Sequence, residues 1–341
     1  MLSVDISEWA IDDIYSPYPE GSRDKYAVIA PSKGCPPFII PEHRYLMKFS
    51  NRRYPVQFWS EIIAQKVGSY FGVEVPPTFL SIDPKSGEPA SLIEWFYGPQ
   101  LENAVPVRKG GLSLFKSLKD LFVSEEEIPK THSLYVPGSS YMVRFIPEYD
   151  LVKGTQHNLQ DVARWIRIIG MLAGTDFWPT WARMLLFDVL IGNTDRHQDN
   201  WGVLWRANPD GGAVPRFAPA FDNGTSLGHE LMEERLDRYL SHDAVERYVR
   251  KGRHHMRFTR TDEKNAGHFD LIRHMIEMRP QLKSVLARTI VRDPKPLFDE
   301  IMSLGNVEIS VPLSEARLQF ICNSISTRLA ILRDVIENSN A

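Results

Sequence analysis

The pattern of apolar and polar residues predicts strands over most of the first hundred positions. KYAVIA (25–30) and HRYLMKFS (43–50) have β-like composition and flank a turn-rich segment. PVQFWSEIIAQKVGSYFG instead spaces its apolar residues as a helix does, and Gly72 is the expected end of that helix. VPPTFLSID and SLIEWFYG predict two further strands. This part of the chain is therefore expected to be strand-rich with one helix.

Helical spacing dominates from residue 159 onward. LQDVARWIRIIGMLAG and PTWARMLLFDVLIGN predict two helices, and most of 229–336 is helical by pattern. The last helix has Ser314 as its expected N-cap and Glu315 in its first turn. Residues 101–158 are mixed, with LSLFKSLKDLF predicted helical and SSYMVRFIPEY predicted extended. We predict an α+β, bilobed chain, with a strand-rich N-lobe at 1–100 and a mostly helical C-lobe at 101–341.

Composition limits the class of protein. The chain has 341 residues, 43% hydrophobic and 24% charged, which is typical of a soluble globular protein. Its 40 basic and 43 acidic side chains give a net charge of −3, so no general attraction to nucleic acid is implied. Cys35 and Cys322 form no CxxC pair, which argues against a disulfide framework or structural zinc.

The N-terminal residues and the hydrophobic runs bear on localisation. MLSVDISEWAIDDIYS is acidic and lacks the basic-then-apolar order of a signal peptide. The sequence has no apolar run of about 18 residues, the length that a spanning helix needs. We expect a cytoplasmic protein, or one delivered to a host cell without a classical signal peptide.

The most informative segment is the polar loop IGNTDRHQDNWGVL, residues 191–204, which apolar stretches bracket on both sides. Buried polar groups need partners, so such a cluster favours a site over an ordinary surface loop. Asp195 and Asn200 have the DxxxxN spacing of a kinase catalytic loop. The carboxylate can orient or deprotonate an attacking hydroxyl, and the amide oxygen can ligate Mg²⁺. The alternative is an Asn/Asp turn that caps a helix.

Asp222, in APAFDNG, is the candidate second metal ligand, on a turn at 221–224. The alternative is a hairpin turn in which Asp-Asn-Gly only reverses the direction of the chain. The intervening WGVLWRANPDGGAVPRFAPAFD predicts a strand, a hairpin and a second strand. That path would return Asp222 to the side of Asn200.

A lysine and a glutamate of the N-lobe complete the candidate constellation. Lys48 lies in a predicted strand and Glu61 on the predicted helix, so the two can pair and hold the α and β phosphates of ATP. A strand lysine that faces solvent is the alternative. In EGSRDKYAV, Gly21 and Ser22 can form a phosphate-covering turn, although neither GxGxxG nor a Walker A motif is present. The alternative for this segment is an ordinary turn.

NTDRHQDNWGVL followed by FAPAFDNGTSL resembles the active-site segments of HipA-like kinases, including CtkA-type serine/threonine kinases. GSRDKYAV, YLMKFS and QFWSEIIAQKVG are similar to their small-lobe elements, so the resemblance spans roughly residues 20–230. It implies a protein-kinase-like fold and transfer of phosphate from ATP, with Mg²⁺, to serine or threonine of a protein substrate. The roles that it implies are catalysis by Asp195, magnesium ligation by Asn200 and Asp222, and ATP binding by Gly21, Ser22, Arg23, Lys48, Glu61 and the hinge residues Glu94, Trp95 and Phe96.

Other interpretations stay open. DRHxDN is also similar to the catalytic loop of phosphatidylinositol 3- and 4-kinases, which makes His197 a candidate acid/base group and a lipid kinase an alternative function. His197 could instead hydrogen-bond the metal-binding turn structurally. An inactive, nucleotide-binding interaction module is the third alternative. Asp222-Asn223-Gly224 departs from the Asp-Phe-Gly pattern.

The one strongly basic stretch is RYVRKGRHHMRFTR, residues 247–260. It leaves binding of a nucleic acid open, although the net charge does not imply it. The alternative is a solvated loop that pairs with the acidic segment 228–237 before it. The expected partner of the chain is a protein substrate.

Overall fold

The computed structural model describes residues 3–13, 23–97, 133–207 and 213–339. The predicted strands of the first hundred residues form one antiparallel sheet of five strands, in the order β1-β2-β3-β5-β4. Its strands are β1 (Ala10–Ile11), β2 (Lys25–Ile29), β3 (Arg44–Lys48), β4 (Thr78–Ile82) and β5 (Pro89–Glu94). Lys25 pairs with Lys48 and Lys48 with Ser91, so Lys48 stands at the end of the central strand.

Helix α1 (Gln57–Phe71) links this sheet to the rest of the molecule. It ends at Gly72, which has a φ of 69°, as the sequence predicted. Its apolar side chains belong to the same core as those of the later helices. Trp59 donates from Nε1 to the Val311 carbonyl at 2.9 Å, and Ser60 donates from Oγ to the Ser226 carbonyl at 3.1 Å. Helix α1 is therefore hydrogen-bonded to two separate segments of the helical part, at Val311 and at Ser226.

A second antiparallel sheet flanks the polar loop. It consists of β6 (Leu134–Pro137), β7 (Gly202–Ala207) and β8 (Ala213–Phe217), in that order. The predicted strand–hairpin–strand after Asn200 is thus confirmed. The prediction that SSYMVRFIPEY is extended is wrong, because residues Gly138–Phe145 form helix α2. This helix buries Tyr141 and Met142, so tertiary packing overrides the β-like composition.

The remaining elements are helical. They are α3 (Leu159–Ala173), α4 (Trp178–Ile191), α5 (His242–Lys251), α6 (His268–Met278), α7 (Leu282–Thr289), α8 (Lys295–Ser303), α9 (Glu315–Asn338) and the 3₁₀ turns Glu233–Tyr239 and Leu304–Asn306. Ser314 caps α9 by accepting from the Arg317 amide at 3.1 Å, which confirms the predicted N-cap. The predicted helix LSLFKSLKDLF lies outside the described residues.

The helical part has one continuous core, and Trp165, Trp181 and Trp201 are fully buried in it. Trp201 follows Asn200 and contacts both of the other indoles, at ring-centroid distances of 5.4 and 5.1 Å. The end of the polar loop is therefore fixed on rigid aromatic packing. None of the helices within the described ranges is long and apolar enough to cross a membrane.

Candidate active site

A buried arginine joins the polar loop to the turn at 221–224. Arg196 is fully buried and pairs with Asp188 of α4, with 2.7 Å between Nη2 and Oδ1. From Nη1 it donates to the Asn200 carbonyl at 2.9 Å and to the Phe221 carbonyl. From Nη2 it also donates to Oδ1 of Asn223 at 2.7 Å. One guanidinium group thus fixes the loop against the turn, and Asp222 lies beside Asn200 as the hairpin predicted.

Asp188 and Arg196 were missed by sequence reasoning, although both lie in or beside the apolar-bracketed segment. Burial would raise the pKa of Asp188, but Arg196 and His254 outweigh it and lower this pKa to about 2. His254 accepts from the Met256 amide at Nδ1, which leaves Nε2 to donate to Asp188 at 3.3 Å. A charged aspartate inside the otherwise apolar LLFDVL, residues 185–190, was the signal that could have revealed the pair, because a buried charge requires a partner.

The start of the loop is held by Asn193. Its Oδ1 accepts from the Asp195 amide at 2.9 Å and from the Thr225 hydroxyl at 3.3 Å. Its carbonyl accepts from Nε2 of His268 at 2.9 Å, and Arg328 of α9 donates to Nδ1 of the same ring at 3.2 Å. Burial, and then the nearby Arg328 charge, hold the pKa of His268 well below its ordinary value, so the ring is neutral. The backbone of Asp195 is therefore fixed from α6 and α9.

Asp195 itself is half-buried, and its carboxylate accepts no hydrogen bond from any residue within the described ranges. Burial raises its pKa, and the neighbouring His197 only partly opposes the shift. Asn200 donates from Nδ2 to the Asp195 carbonyl at 2.8 Å. This bond fixes the orientation of the amide and leaves Oδ1 of Asn200 as its acceptor atom.

Four charged side chains from separate segments of the chain meet beside the polar loop. Lys48 Nζ lies 3.0 Å from Glu61 Oε1 and 2.6 Å from Asp222 Oδ1. Arg23 Nη2 lies 2.8 Å from the same Glu61 oxygen and 2.9 Å from the same Asp222 oxygen. Burial would raise the pKa of both carboxyl groups, but Lys48 and Arg23 lower the pKa of Glu61 and hold that of Asp222 well below its ordinary range. We call these four residues the charge cluster.

Asn223 stands where an Asp-Phe-Gly motif would have phenylalanine, and it is fully engaged in polar contacts. Its amide donates to Glu61 Oε2 at 2.8 Å, and its Nδ2 donates to the Ala220 carbonyl at 2.9 Å. Its Oδ1 accepts from Arg196. The turn is therefore held by hydrogen bonds to both α1 and the polar loop.

His197 contacts groups within its own loop. The Asp199 amide donates to Nδ1 at 3.2 Å, and the Asp199 carboxylate lies 3.6 Å from the same nitrogen. Burial would lower the pKa of His197, but Asp199 and Asp195 raise it above the ordinary value. Both contacts of Nδ1 are to Asp199, and within the described ranges the ring has no hydrogen bond to the 221–224 turn, so the predicted structural role at that turn is not confirmed.

The predicted hinge residues follow β5. The Glu94 amide donates to the Pro77 carbonyl at 2.8 Å, and the Trp95 amide donates to the Arg44 carbonyl at 3.0 Å. Phe96 lies with its ring centroid 5.3 Å from that of Phe221 and so borders the turn that carries Asp222. The hinge role of Glu94, Trp95 and Phe96 stays a prediction. Gly21 and Ser22 lie outside the described residues.

The basic stretch 247–260 contacts the 228–237 segment through Tyr248, whose hydroxyl donates to Glu230 at 2.8 Å, but two of its arginines pair elsewhere. Arg250 pairs with Glu246 of the same helix at 2.7 Å, and Arg260 pairs with Asp161 at 2.5 Å. His254 is fully buried against Asp188. The expectation of a solvated loop that pairs with the 228–237 segment is therefore wrong at these positions. Binding of nucleic acid stays an open question for this stretch.

The fold is similar to that of the Helicobacter pylori proinflammatory kinase CtkA, with a TM-score of 0.68 and 17% identity over 98% of this chain and 96% of that one. HipA of Shewanella oneidensis, from a toxin–antitoxin complex with HipB and operator DNA, gives a TM-score of 0.44 and 14% identity over 95% of this chain and 66% of that one. No protein-family model and no curated protein matches the sequence. The likeness to CtkA shows that the chain has a bilobed, kinase-like fold, and at that level it confirms the resemblance carried by the polar loop.

Proposed function

We propose that this protein is an ATP- and Mg²⁺-dependent kinase that phosphorylates serine or threonine in a protein substrate. The observation that carries the proposal is the charge cluster beside Asp195. Lys48 and Glu61 are paired, and Asp222 and Asn200 are fixed on adjoining segments by Arg196. In a kinase-like fold, these are the positions from which phosphates and metal are held.

The residues fit magnesium and a nucleoside triphosphate. The Asp222 carboxylate and the Asn200 amide oxygen are hard oxygen donors, which Mg²⁺ prefers. The described part of the chain has no group of three or more His, Cys, Asp or Glu that could hold a metal ion. A cation at Asp222 and Asn200 would therefore complete its shell with phosphate oxygens and water, as Mg²⁺ in kinases does. Bound ATP would supply the phosphoryl group, and the metal would neutralise its charge.

The chain's own residues then account for positioning and proton transfer. Lys48 is buried and lies 2.6 Å from Asp222, a position from which it could hold phosphate oxygens. Asp195 has a carboxylate with no hydrogen-bond donor among the described residues and a raised pKa. It can accept a hydrogen bond, and then the proton, from a substrate hydroxyl. Catalysis of this kind depends chiefly on position and charge.

A phosphoinositide kinase is the second candidate, and the loop sequence DRHQDN is the observation in its favour. Asp199 and Asp195 raise the pKa of His197 against the effect of burial, and its ring lies two residues from Asp195, near the position at which phosphate would be transferred. The inactive interaction module is the third candidate. The two enzymatic candidates differ in the hydroxyl that is presented to Asp195.

The test is incubation with γ-labelled ATP and Mg²⁺, with protein extract in one arm and phosphoinositide vesicles in the other. We expect labelled protein, and a loss of at least about 10²-fold in the rate for Asp195→Ala. Asp237→Ala is the control, because Asp237 is exposed and remote from the cluster in sequence. Removal of Mg²⁺ with EDTA should abolish labelling. Label in lipid alone would favour the lipid kinase, and ATP binding without any transfer would favour the inactive module.

A further inference from the structure

Arg23 is the member of the charge cluster whose hydrogen bonding is incomplete. Its side chain is about nine-tenths buried, and Nη2 alone contacts both Glu61 and Asp222. Nη1 is buried and has no hydrogen-bond partner among the described residues. A buried donor without an acceptor is unfavourable, more so on a charged group. The present position of Arg23 therefore satisfies its charge but leaves part of its hydrogen-bonding capacity unused.

The cluster is balanced by charge without any added ion. Glu61 and Asp222 contribute two negative charges, and Lys48 and Arg23 contribute two positive charges. Both cations contact the same oxygen of Asp222, at 2.6 and 2.9 Å. A divalent cation on this carboxylate would face two positive neighbours at close range, which is repulsive. The carboxylate is thus already neutralised from within the chain.

Two features make Arg23 easier to displace from Asp222 than Lys48 is. Arg23 precedes β2, so its backbone is not part of a strand. Lys48 lies in β3, where it pairs with Lys25. A Cβ at Gly224 would lie 2.4 Å from Arg23 Nη1. The guanidinium group of Arg23 packs against the backbone of the turn at 221–224. A planar guanidinium binds phosphate oxygens with two parallel hydrogen bonds, a geometry that the two separate carboxylates do not offer it.

We propose that Arg23 is an exchangeable counter-ion: it neutralises Asp222 and Glu61 in the nucleotide-free chain and transfers to the terminal phosphate when a nucleoside triphosphate binds. This inference rests on the proposed nucleotide-dependent function and assigns a role in it to one residue. The transfer satisfies Nη1 and removes one positive charge from Asp222, so triphosphate binding opens this carboxylate to Mg²⁺. Nucleotide and metal then bind with positive coupling, and Arg23 is the positioning residue that couples them.

The test measures binding and not turnover. ATP is titrated in EDTA, and Mg²⁺ is titrated without nucleotide, each followed by tryptophan fluorescence and calorimetry, for wild type, Arg23→Gln and Arg23→Lys. For Arg23→Gln we expect ATP to bind roughly tenfold more weakly or worse, and Mg²⁺ to bind roughly tenfold more tightly, where tenfold is about 1.4 kcal/mol. AMP, which lacks the terminal phosphate, should lose much less affinity than ATP. Arg23→Lys keeps the charge and should leave Mg²⁺ affinity near that of wild type while still weakening ATP.

In Arg23→Gln the affinity for ATP should fall while the affinity for Mg²⁺ rises, and this opposition separates the proposed role from a structural one. A variant that merely loosens the site would weaken ATP and Mg²⁺ together, and that result would overturn the proposal. So would unchanged affinity for both ligands in Arg23→Gln. Arg273→Gln is the control, since Arg273 is an exposed cation of α6 whose partner, Asp270, lies outside the cluster. Absence of ATP binding in the wild-type chain would instead reject the proposed function itself.

Discussion

Arg196 donates to Asn223 at 2.7 Å and so joins the loop that carries Asp195 to the turn that carries Asp222. The same guanidinium group is neutralised by Asp188, and all three side chains are buried. The candidate catalytic aspartate and the candidate metal ligand are therefore fixed relative to each other by a fully buried group. Loss of this group should disturb the site without changing any residue that contacts a ligand.

Replacement of Asp188 tests how much the molecule depends on that pair. Asp188→Asn leaves the buried Arg196 charge without a counter-ion, and we expect a loss of about 3–5 kcal/mol in the free energy of unfolding. Asp299→Asn is the control, because Asp299 forms an exposed pair with Lys295 at 2.6 Å. Its loss should cost under about 1 kcal/mol. Urea unfolding of the three proteins makes the comparison, and equal costs for the two variants would contradict the assignment.

Two glycines that end successive helices provide a matched pair. Gly174 has a φ of 61° and Gly192 a φ of 68°, so alanine is strained by a similar amount at each, about 1–2 kcal/mol. A Cβ at Gly174 would meet nothing within 4 Å, whereas at Gly192 it would lie 2.5 Å from Nη2 of the buried Arg328. Gly192→Ala should therefore cost about 1–3 kcal/mol more than Gly174→Ala. Chemical unfolding measures both, and an equal cost would show that Arg328 does not constrain the loop.

Trp59 and Trp181 test the anchoring of α1. Both indoles are buried, but only Trp59 has a hydrogen bond from Nε1, to the Val311 carbonyl, since Nε1 of Trp181 has no partner within the described ranges. Substitution by phenylalanine removes a similar volume at each site. We expect Trp59→Phe to be more destabilising than Trp181→Phe by about 1 kcal/mol. A Trp181 variant that is equally or more costly would mean that packing, not this bond, holds α1.

His197 should titrate above its ordinary pKa because Asp199 and Asp195 outweigh the effect of burial. Asp199→Asn should lower this pKa, which histidine ring resonances in NMR can follow. A raised pKa in the folded state means that the His197–Asp199 interaction stabilises below about pH 6.5 and is lost as pH rises through the folded value. The stability deficit of Asp199→Asn should thus be present at acid pH and disappear in alkali. Asp237→Asn should leave the titration unchanged; a shift there, or none in Asp199→Asn, would refute the assignment.

Local sequence patterns were sufficient for the elements that carry the site. Alternation and short apolar runs predicted β2 to β5, helical spacing predicted α1, and the hairpin after Asn200 returned Asp222 to its side. These features depend on neighbouring residues, so a single sequence contains them. The segment that forms α2 was predicted wrongly, because its conformation depends on contacts with distant residues. One of these is the bond from the Ser139 amide to the Gln198 carbonyl.

Most supports of the site were not predictable for the same reason. Asp188 and Arg196 are near each other in the sequence, but Asp188 also contacts His254, and the loop's start is held by His268 and Arg328, all of them distant in sequence. Nothing in a local pattern separates a buried histidine of this kind from one on a surface. Arg23 could be placed near the phosphates by resemblance, but its contacts with Glu61 and Asp222 appear only when three distant segments meet.

The bond from Arg328 to His268 also has a consequence for the order of events during synthesis. Arg328 lies on α9, so a nascent chain can contain Asp195, Asn200 and Asp222 well before their support exists. Contacts between residues so far apart in sequence form late, because the intervening chain must first be ordered. We therefore expect the support of the loop that carries Asp195 to form only after α9 has been synthesised and has docked.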